Sequence, residues 1–291
     1  MYNVSTKLYA ILLTAVSVAG LASCGNSKSE EQIKAEALLS DAQSMFDSRQ
    51  YDKAIAIIDS LSKTYPGMLD VQRNAMHLKT LVTEKKTILD SISNDSIIVA
   101  NKHLVDSLSK GFKFIKTKDM VEGYYVKSTV SANNLTKRTD IEARIDERGN
   151  IYLVSSLYGR DVKHTRLKAS CDGTQVETGN VAFDNAKNYR FKDGSTPVEM
   201  VTFDKEACDT LCQFIAANRD KKITLEFNGN RSYKMQLPAN TKNAIAETYL
   251  YATHKAELKK AEDLKLYYAK KLQITRRQSR QTATNISGTK E

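Results

Sequence analysis

The spacing of apolar residues changes twice along the chain and divides it into three parts. Between residues 30 and 120, apolar side chains recur every three or four positions, the period of an amphipathic helix. Between residues 121 and 238 the period falls to two, which is typical of β-strands. The helical period returns at residue 239 and lasts to about residue 275. We therefore predict an α+β fold: an N-terminal helical hairpin and long coiled-coil-like helices, an antiparallel β-sheet or small sandwich, and a long C-terminal helix.

The helical part begins with a predicted pair of short helices. Ser29 followed by Glu30 and Glu31 is typical of a helix N-terminus. Residues 47–50 predict a turn, and Pro66-Gly67 predicts the end of the second helix. The pair resembles a tetratricopeptide repeat at the pattern positions occupied by Leu38, Ala42, Ala54, Ile58, Leu61 and Pro66.

Two departures from that repeat pattern affect the prediction. Asp41 stands where a leucine is usual, and Met45 stands where an aromatic residue is usual. About three repeats are needed for a stable solenoid, and the chain contains one. We therefore expect the helical pair to pack against the segment that follows it.

That following segment carries a coiled-coil-like stripe of apolar residues. The stripe has alternating spacings of four and three and consists of Val71, Ala75, Leu78, Val82, Leu89 and Ile92. Such a stripe favours internal helix pairing over a partner site, and internal pairing is the expectation. The run Ser93-Asn94-Asp95-Ser96 predicts a break before a second amphipathic helix that reaches Phe112.

The β part has clear turn signals and one predicted helix. Asn228-Gly229-Asn230 lies between two alternating runs, which is the strongest short-range hairpin signal. The segment from Lys205 to Ala217 has a helical period and predicts an inserted helix. The first strand is predicted at Gly123-Tyr124-Tyr125-Val126.

The first 23 residues have the layout of an export signal. Lys7 precedes an apolar run over residues 8–20, which is shorter than the ~20 residues of a spanning helix. Leu21, Ala22, Ser23 and Cys24 resemble the lipobox of bacterial lipoproteins. The resemblance implies cleavage before Cys24, lipid attachment at that cysteine and a short tether over residues 24–29. An ordinary secretion signal that happens to contain a cysteine is the alternative.

The complete pattern resembles uncharacterised lipoproteins of Bacteroidota with a tetratricopeptide-like helical start. The resemblance implies a cell-envelope protein but no activity. Surface-exported lipoproteins of that phylum often carry acidic residues soon after the cysteine, whereas Glu30 and Glu31 come late, behind Lys28. We therefore expect an outer-membrane location that faces the periplasm.

The charge distribution adds one candidate partner, and the expected location argues against another. The formal net charge is +10, and the excess lies mainly in the last helix and in a basic tail over residues 276–291 that we expect to be disordered. Such a tail could contact anionic lipid, although a solvated charged face is the simpler interpretation. Nucleic acid is not expected as a partner outside the cytoplasm.

The sequence contains no recognisable catalytic or metal-binding motif. None of the four histidines has a second ligand at metal-binding spacing. A Cys171–His164 nucleophile across a hairpin is far less plausible than two unrelated strand residues. Cys171, Cys208 and Cys212 are best interpreted as small core residues. We therefore expect a protein without enzymatic activity, cofactor or metal.

The remaining functional hypotheses concern binding and modification. An anchored module that docks a protein partner on its helical region is the main one. The alternative is a glycan-binding lipoprotein, because the chain has 14 tyrosines, and Tyr124, Tyr152, Tyr158 and Tyr189 lie in or beside strands. Asp95-Ser96-Ile97 is similar to the O-glycosylation sequon of Bacteroidota, which makes Ser96 a candidate modification site.

Overall fold

The computed structural model describes residues 28–130 and 132–287. These residues form an α+β protein that divides into two compact units. Of the described residues, the first unit contains 28–83 and 275–287, and the second contains those from Glu84 to Ile274. The predicted domain boundary near residue 120 is therefore not where the chain divides into compact units.

The first unit is built on the predicted helical pair. Helix α1 spans Glu30–Asp47 and α2 spans Tyr51–Thr64. The Ser29 hydroxyl caps α1 by accepting a hydrogen bond from the Gln32 amide at 3.2 Å. Arg49 takes a positive φ of 59° in the turn between the two helices.

The core of this unit is apolar and closely packed. Ala42 and Ala54 are fully buried, and their small side chains let the two helices approach. Helix α3 (Leu69–Ser109) contributes the buried residues Val71, Ala75, Leu78 and Val82 to the same core. The expectation that the helical pair packs against the following segment is thus confirmed.

Helix α3 is continuous, so the predicted break at residues 93–96 is wrong. The polar residues of that run are accommodated by side-chain bonds to helix carbonyls. The Ser96 hydroxyl donates to the Ile92 carbonyl at 3.3 Å, and the buried Asn94 amide donates to the Ala261 carbonyl at 2.7 Å. The prediction that the helical region reaches Phe112 also fails, because Phe112 begins a strand.

The strands of the second unit form two antiparallel sheets. The six-stranded sheet has the order β1-β2-β3-β4-β8-β7, and the four-stranded sheet has the order β10-β9-β5-β6. The strands are β1 (Phe112–Ile115), β2 (Tyr124–Lys127), β3 (Asp140–Asp146), β4 (Ile151–Tyr158), β5 (Arg166–Cys171), β6 (Thr174–Glu177), β7 (Asn188–Asp193), β8 (Thr196–Phe203), β9 (Thr224–Asn228) and β10 (Ser232–Gln236). A short 3₁₀ helix, η1 (Ala132–Lys137), precedes β3.

The main core of the second unit combines both sheets with two helices. Leu153 of β4 and Phe227 of β9 are fully buried in one cluster with Ile245 of the C-terminal helix. Helix α4 spans Lys205–Ala217, as predicted, and Asp204 caps it by accepting from the Ala207 amide. The three cysteines are buried and unbonded in this core, in agreement with their interpretation as core residues.

The predicted β9–β10 hairpin is present, and its glycine is needed for close approach. A Cβ atom on Gly229 would lie 2.2 Å from the Lys163 carbonyl oxygen. Only glycine therefore fits where this turn meets the connection between β4 and β5.

The C-terminal helix α5 spans Ala239–Ser287 and is longer than predicted. The predicted disordered tail from residue 276 is wrong as far as residue 287. Within the first unit the His77 ring lies 3.1 Å from the Thr282 hydroxyl, so this end of the helix has tertiary contacts despite its polar sequence.

Candidate functional site

The arrangement that most resembles a catalytic centre is a relay of three buried side chains. The Ser155 hydroxyl of β4 lies 2.8 Å from His164 Nε2, and His164 Nδ1 lies 2.7 Å from Glu199 Oε2 on β8. A hydroxyl, an imidazole and a carboxylate in this order form the geometry of nucleophilic catalysis. Their exposed fractions are 0 %, 0 % and 2 %, so in this conformation no substrate can reach the hydroxyl.

The relay instead fixes the connection between the two sheets. Residues 159–165 join β4 of one sheet to β5 of the other. The Glu199 carboxylate accepts backbone hydrogen bonds from Val162, Lys163 and His164 at 2.6–2.9 Å, and Lys163 has a positive φ of 57°. A buried carboxylate with this many donors satisfies amides that would otherwise be orphaned in the turn.

The electrostatics of Glu199 agree with a structural role. Burial alone would raise its pKa, but the His164 ring and the backbone amides hold the pKa below its ordinary value. Phe227 closes the site, with its ring edge-on to the His164 ring at 5.2 Å. His164 therefore contacts Ser155 and Glu199, and not Cys171, the partner that the sequence analysis considered and set aside.

A polar cavity of about 410 Å³ lies beside the first residues of β3. Strand β2 pairs with β3 only at residues 144–146, and the cavity lies along residues 140–143 and the first turns of α5. Asp140 in its wall is fully occupied, because it accepts from the Arg138 side chain, the Thr241 hydroxyl and the Ile141 amide.

Glu142 in the same wall is only half satisfied. Its Oε1 atom accepts from Arg144 Nε at 2.6 Å, whereas its Oε2 atom is buried and has no hydrogen-bond partner. A buried carboxylate oxygen without a donor is destabilising by about 1–3 kcal/mol or more.

The four tyrosines singled out from the sequence occur on the outer face of the six-stranded sheet. Tyr152, Tyr158 and Tyr189 are half-buried against a small core that contains Leu135, whereas Tyr124 is only 6 % exposed. The Arg144 guanidinium covers the Tyr124 ring at 4.2 Å. Burial raises the pKa of Tyr152 to about 12, although the Arg144 guanidinium opposes the shift. These rings mostly pack within the protein and do not form an exposed row.

Between Thr87 and Asn101 the second half of α3 has its polarity inverted, whereas Val105 and Leu108 near its end pack against the main apolar core. Its inward side buries Thr87, Asn94 and Asn101, with exposed fractions of 0 %, 4 % and 6 %. The Asn101 side chain lies 2.8 Å from His254 Nδ1 of α5, so the two helices meet along a polar seam. We refer to these three buried polar residues of α3 as the seam.

Large apolar side chains occupy the outward side of the same segment. Leu89, Ile92 and Val99 are 49 %, 59 % and 70 % exposed. Their spacing of three and seven residues places them on one face of the helix, which we call the α3 stripe. Leu89 and Ile92 were expected to pair helices internally, and that part of the prediction is wrong because the seam takes their place.

Some of the sites predicted from the sequence lie among the described residues, and others lie outside them. Cys24 and the recognition residues Leu21, Ala22 and Ser23 lie outside them. Ser96 is exposed, but it lies within a continuous helix rather than beside a break, and on the same face as Ile92 and Val99. No three His, Cys, Asp or Glu side chains of the described ranges come together as a metal site. In the same ranges no helix is long and apolar enough to cross a membrane.

Sequence reasoning missed the relay and the seam for different reasons. Glu199 stands in the apolar strand Val198–Phe203, and a lone carboxylate there was a usable signal for a buried partner. Nothing in the sequence links it to His164, 35 positions away. The seam was hidden because Asn94 in a polar run is typical of a helix end, not of a buried position.

Comparisons with known proteins do not identify this chain. No protein-family model matches it, and neither curated proteins nor solved structures contain a significant match.

Proposed function

We propose that the protein is a lipid-anchored, non-catalytic interaction module of a bacterial cell envelope. Lipid on Cys24 would hold it in the outer membrane, facing the periplasm, and its long helices would dock a partner protein. The observation that carries the docking proposal is the α3 stripe above a polar seam. A helix that buries polar residues and exposes Leu89, Ile92 and Val99 has its apolar face turned to solvent.

The energetics favour an occupant for the α3 stripe. Burying a large aliphatic side chain contributes about 1.5–3 kcal/mol when it is complete. Three such side chains on one helix face therefore supply a useful part of a docking free energy, and an exposed apolar patch of this kind typically marks an interaction site.

The spacing of the stripe fits an amphipathic helix of the partner. Leu89, Ile92, Ser96 and Val99 lie three, four and three residues apart, which is the spacing of the contact positions in a coiled coil. Ser96 lies inside the stripe, so a glycan on its hydroxyl would block a helix from docking there. Glycosylation of Ser96 and docking on the stripe are consequently competing proposals, and the mass of the mature protein distinguishes them.

The docking proposal is tested by crosslinking and pull-down from intact envelopes. The variant Leu89→Ser, Ile92→Ser, Val99→Ser should lose a specific protein that the unaltered chain retains. The control is Leu69→Ser, Val121→Ser, Phe183→Ser, which removes apolar side chains of 72 %, 94 % and 48 % exposure elsewhere. Retention of the same protein by the stripe variant, or its loss from the control, would overturn the proposal.

The anchor is tested separately. Cys24→Ala should move the protein from the membrane fraction to the soluble fraction, because the substitution removes the thiol that would carry the lipid. Cys208→Ala provides a control that removes a buried core thiol and leaves the N-terminus unchanged. A Cys24→Ala protein that still sediments with membranes would contradict anchoring through that residue alone.

A second candidate function, glycan binding, is favoured by the Glu142 cavity rather than by the tyrosines. The cavity presents carboxylate, guanidinium, amide and hydroxyl groups, which are the groups that bind sugar hydroxyls. Screening a glycan array with the unaltered chain and with Glu142→Gln tests this idea. Binding that survives the substitution unchanged, or no binding by either protein, would count against it.

A further inference from the structure

The outward face of α5 in the second unit combines lysines with large apolar side chains. The side chains of Leu266, Tyr267 and Ile274 are 65 %, 52 % and 58 % exposed. Lys260 lies seven residues before Tyr267, and Lys270 lies three residues after Tyr267 and four residues from both Leu266 and Ile274, so the two lysines share this side of the helix. The opposite side is buried at Ala261, which accepts the Asn94 hydrogen bond.

A groove of about 560 Å³ runs beside this face. One wall is the turn between β3 and β4, with Arg148, and the other is α5, with Lys259, Lys260 and Tyr267. One acid, Asp263, also lines the groove, and its carboxylate already binds Lys259 Nζ at 2.9 Å. Arg148 binds Glu122 at 3.0 Å in an exposed pair, and such a pair contributes little on its own. Cations therefore outnumber acids along the groove.

We propose that this groove and the adjoining face of α5 form a docking surface for an anionic phospholipid membrane. Arg148 and Lys260 would contact headgroup phosphates, while Leu266, Tyr267 and Ile274 enter the boundary between headgroups and acyl chains. The combination of lysines with aromatic and aliphatic side chains on one helix face is the composition that binds in the membrane interface. Long lysine side chains can keep their charge at the headgroups while their methylenes lie along apolar surface.

The surface supplies something that the lipid on Cys24 does not. An acyl anchor holds the chain to a membrane but leaves the folded unit free to rotate above it. A basic and apolar face would select one orientation, because each cation near an anionic surface contributes about 1 kcal/mol. The inference rests on residues of the second unit alone, so it can fail while the anchoring of Cys24 holds, and the reverse.

The test uses the chain from Gly25 onward without lipid, which contains every residue the structure describes. We expect it to sediment with vesicles that contain phosphatidylglycerol and to remain in solution with pure phosphatidylcholine vesicles. Binding should weaken when the salt is raised to about 0.5 M, because the Debye length shortens. Arg148→Gln, Lys260→Gln, Lys270→Gln should lower the partition coefficient roughly 100-fold, from three cations at about 1 kcal/mol each.

Matched variants separate this surface from general basicity. Lys118→Gln, Lys192→Gln, Lys222→Gln removes the same charge from exposed positions on other elements and should leave binding within a factor of about two. Leu266→Ser, Ile274→Ser should weaken the binding that survives high salt. Equal binding to neutral and anionic vesicles, equal loss in the control, or displacement by inorganic phosphate at constant ionic strength would overturn the proposal. The last result would indicate a site for free anions.

Discussion

The two halves of α3 follow the same helical period but bury opposite chemistry. In the first unit the helix buries Val71, Ala75, Leu78 and Val82 in an apolar core. In the second unit it buries Thr87, Asn94 and Asn101 and exposes the α3 stripe. One amphipathic pattern thus produces a packed core in one place and a solvent-facing apolar surface in the other.

The difference shows what each half contributes. Burial of aliphatic side chains supplies stability in proportion to area, and the first half follows that rule. Between Thr87 and Asn101 the second half pairs through hydrogen bonds, whose net contribution is only about 1 kcal/mol each. Its apolar residues are left for another surface, and this inversion is the physical basis for the proposed docking.

Replacing Glu199 of the buried relay should have the largest effect, and this test extends the comparison to a second set of buried polar groups. Glu199→Gln should lower the free energy of unfolding by about 3–5 kcal/mol, because one carboxylate serves four donors that an amide cannot all satisfy. Denaturant unfolding followed by circular dichroism measures this. The substitution of the exposed Glu262 by Gln serves as the control. Equal stability of both variants would contradict a stabilising role of Glu199.

The same glutamate predicts an acid-dependent loss of stability. Its folded-state pKa lies below the ordinary value of about 4.3, so its ionised form favours the folded state. This contribution is complete above the ordinary pKa and is lost as the pH falls through the folded-state pKa. A series of unfolding curves from about pH 6 down to about pH 3 should show this loss of stability in the unaltered chain and a smaller loss in Glu199→Gln. Parallel pH profiles would contradict this assignment.

Two leucines of α3 test the comparison between its halves directly. Leu78→Ala should lower the free energy of unfolding by about 2–4 kcal/mol, because the side chain is 5 % exposed in an apolar core. Leu89→Ala, on the same helix with 49 % exposure, should change it by less than about 1 kcal/mol. Similar losses in both variants would show that the two halves are not different.

The seam should respond weakly to substitution. Asn94→Ala should lower the free energy of unfolding by about 1 kcal/mol, because it removes the 2.7 Å hydrogen bond to Ala261. Asn94→Leu should lower it less, since an apolar side chain of similar size keeps the packing. If Asn94→Leu is less stable than Asn94→Ala, the seam requires a polar side chain at position 94.

The stripe variant should have the smallest effect on stability. Leu89→Ser, Ile92→Ser, Val99→Ser removes side chains that are half or more exposed, and each site should change the free energy of unfolding by no more than about 0.5 kcal/mol. If its unfolding curves overlay those of the unaltered chain, loss of the partner protein in the pull-down cannot be attributed to unfolding. A large destabilisation would mean that the stripe is part of the fold.

Much of the architecture followed from periodicity and turn chemistry. Helix α4, the β9–β10 hairpin at Asn228-Gly229-Asn230 and the N-cap at Ser29 were predictable, because each depends on neighbours in sequence. The failures depend on partners far along the chain. Asn94 is held in a helix by Ala261, and Glu199 is held by the segment before β5. The candidate docking surfaces were unpredictable in the same way, because a periodic stripe does not state which residues will be covered.

The most direct test of the central claim is site-specific photo-crosslinking in intact cells. A photo-reactive residue at position 92 or 99 would lie on the α3 stripe, and one at position 121 would replace Val121, which is 94 % exposed elsewhere. The docking account predicts an adduct of the same added mass from positions 92 and 99 and none of that mass from position 121. No adduct at either stripe position, or the same adduct from position 121, would contradict it.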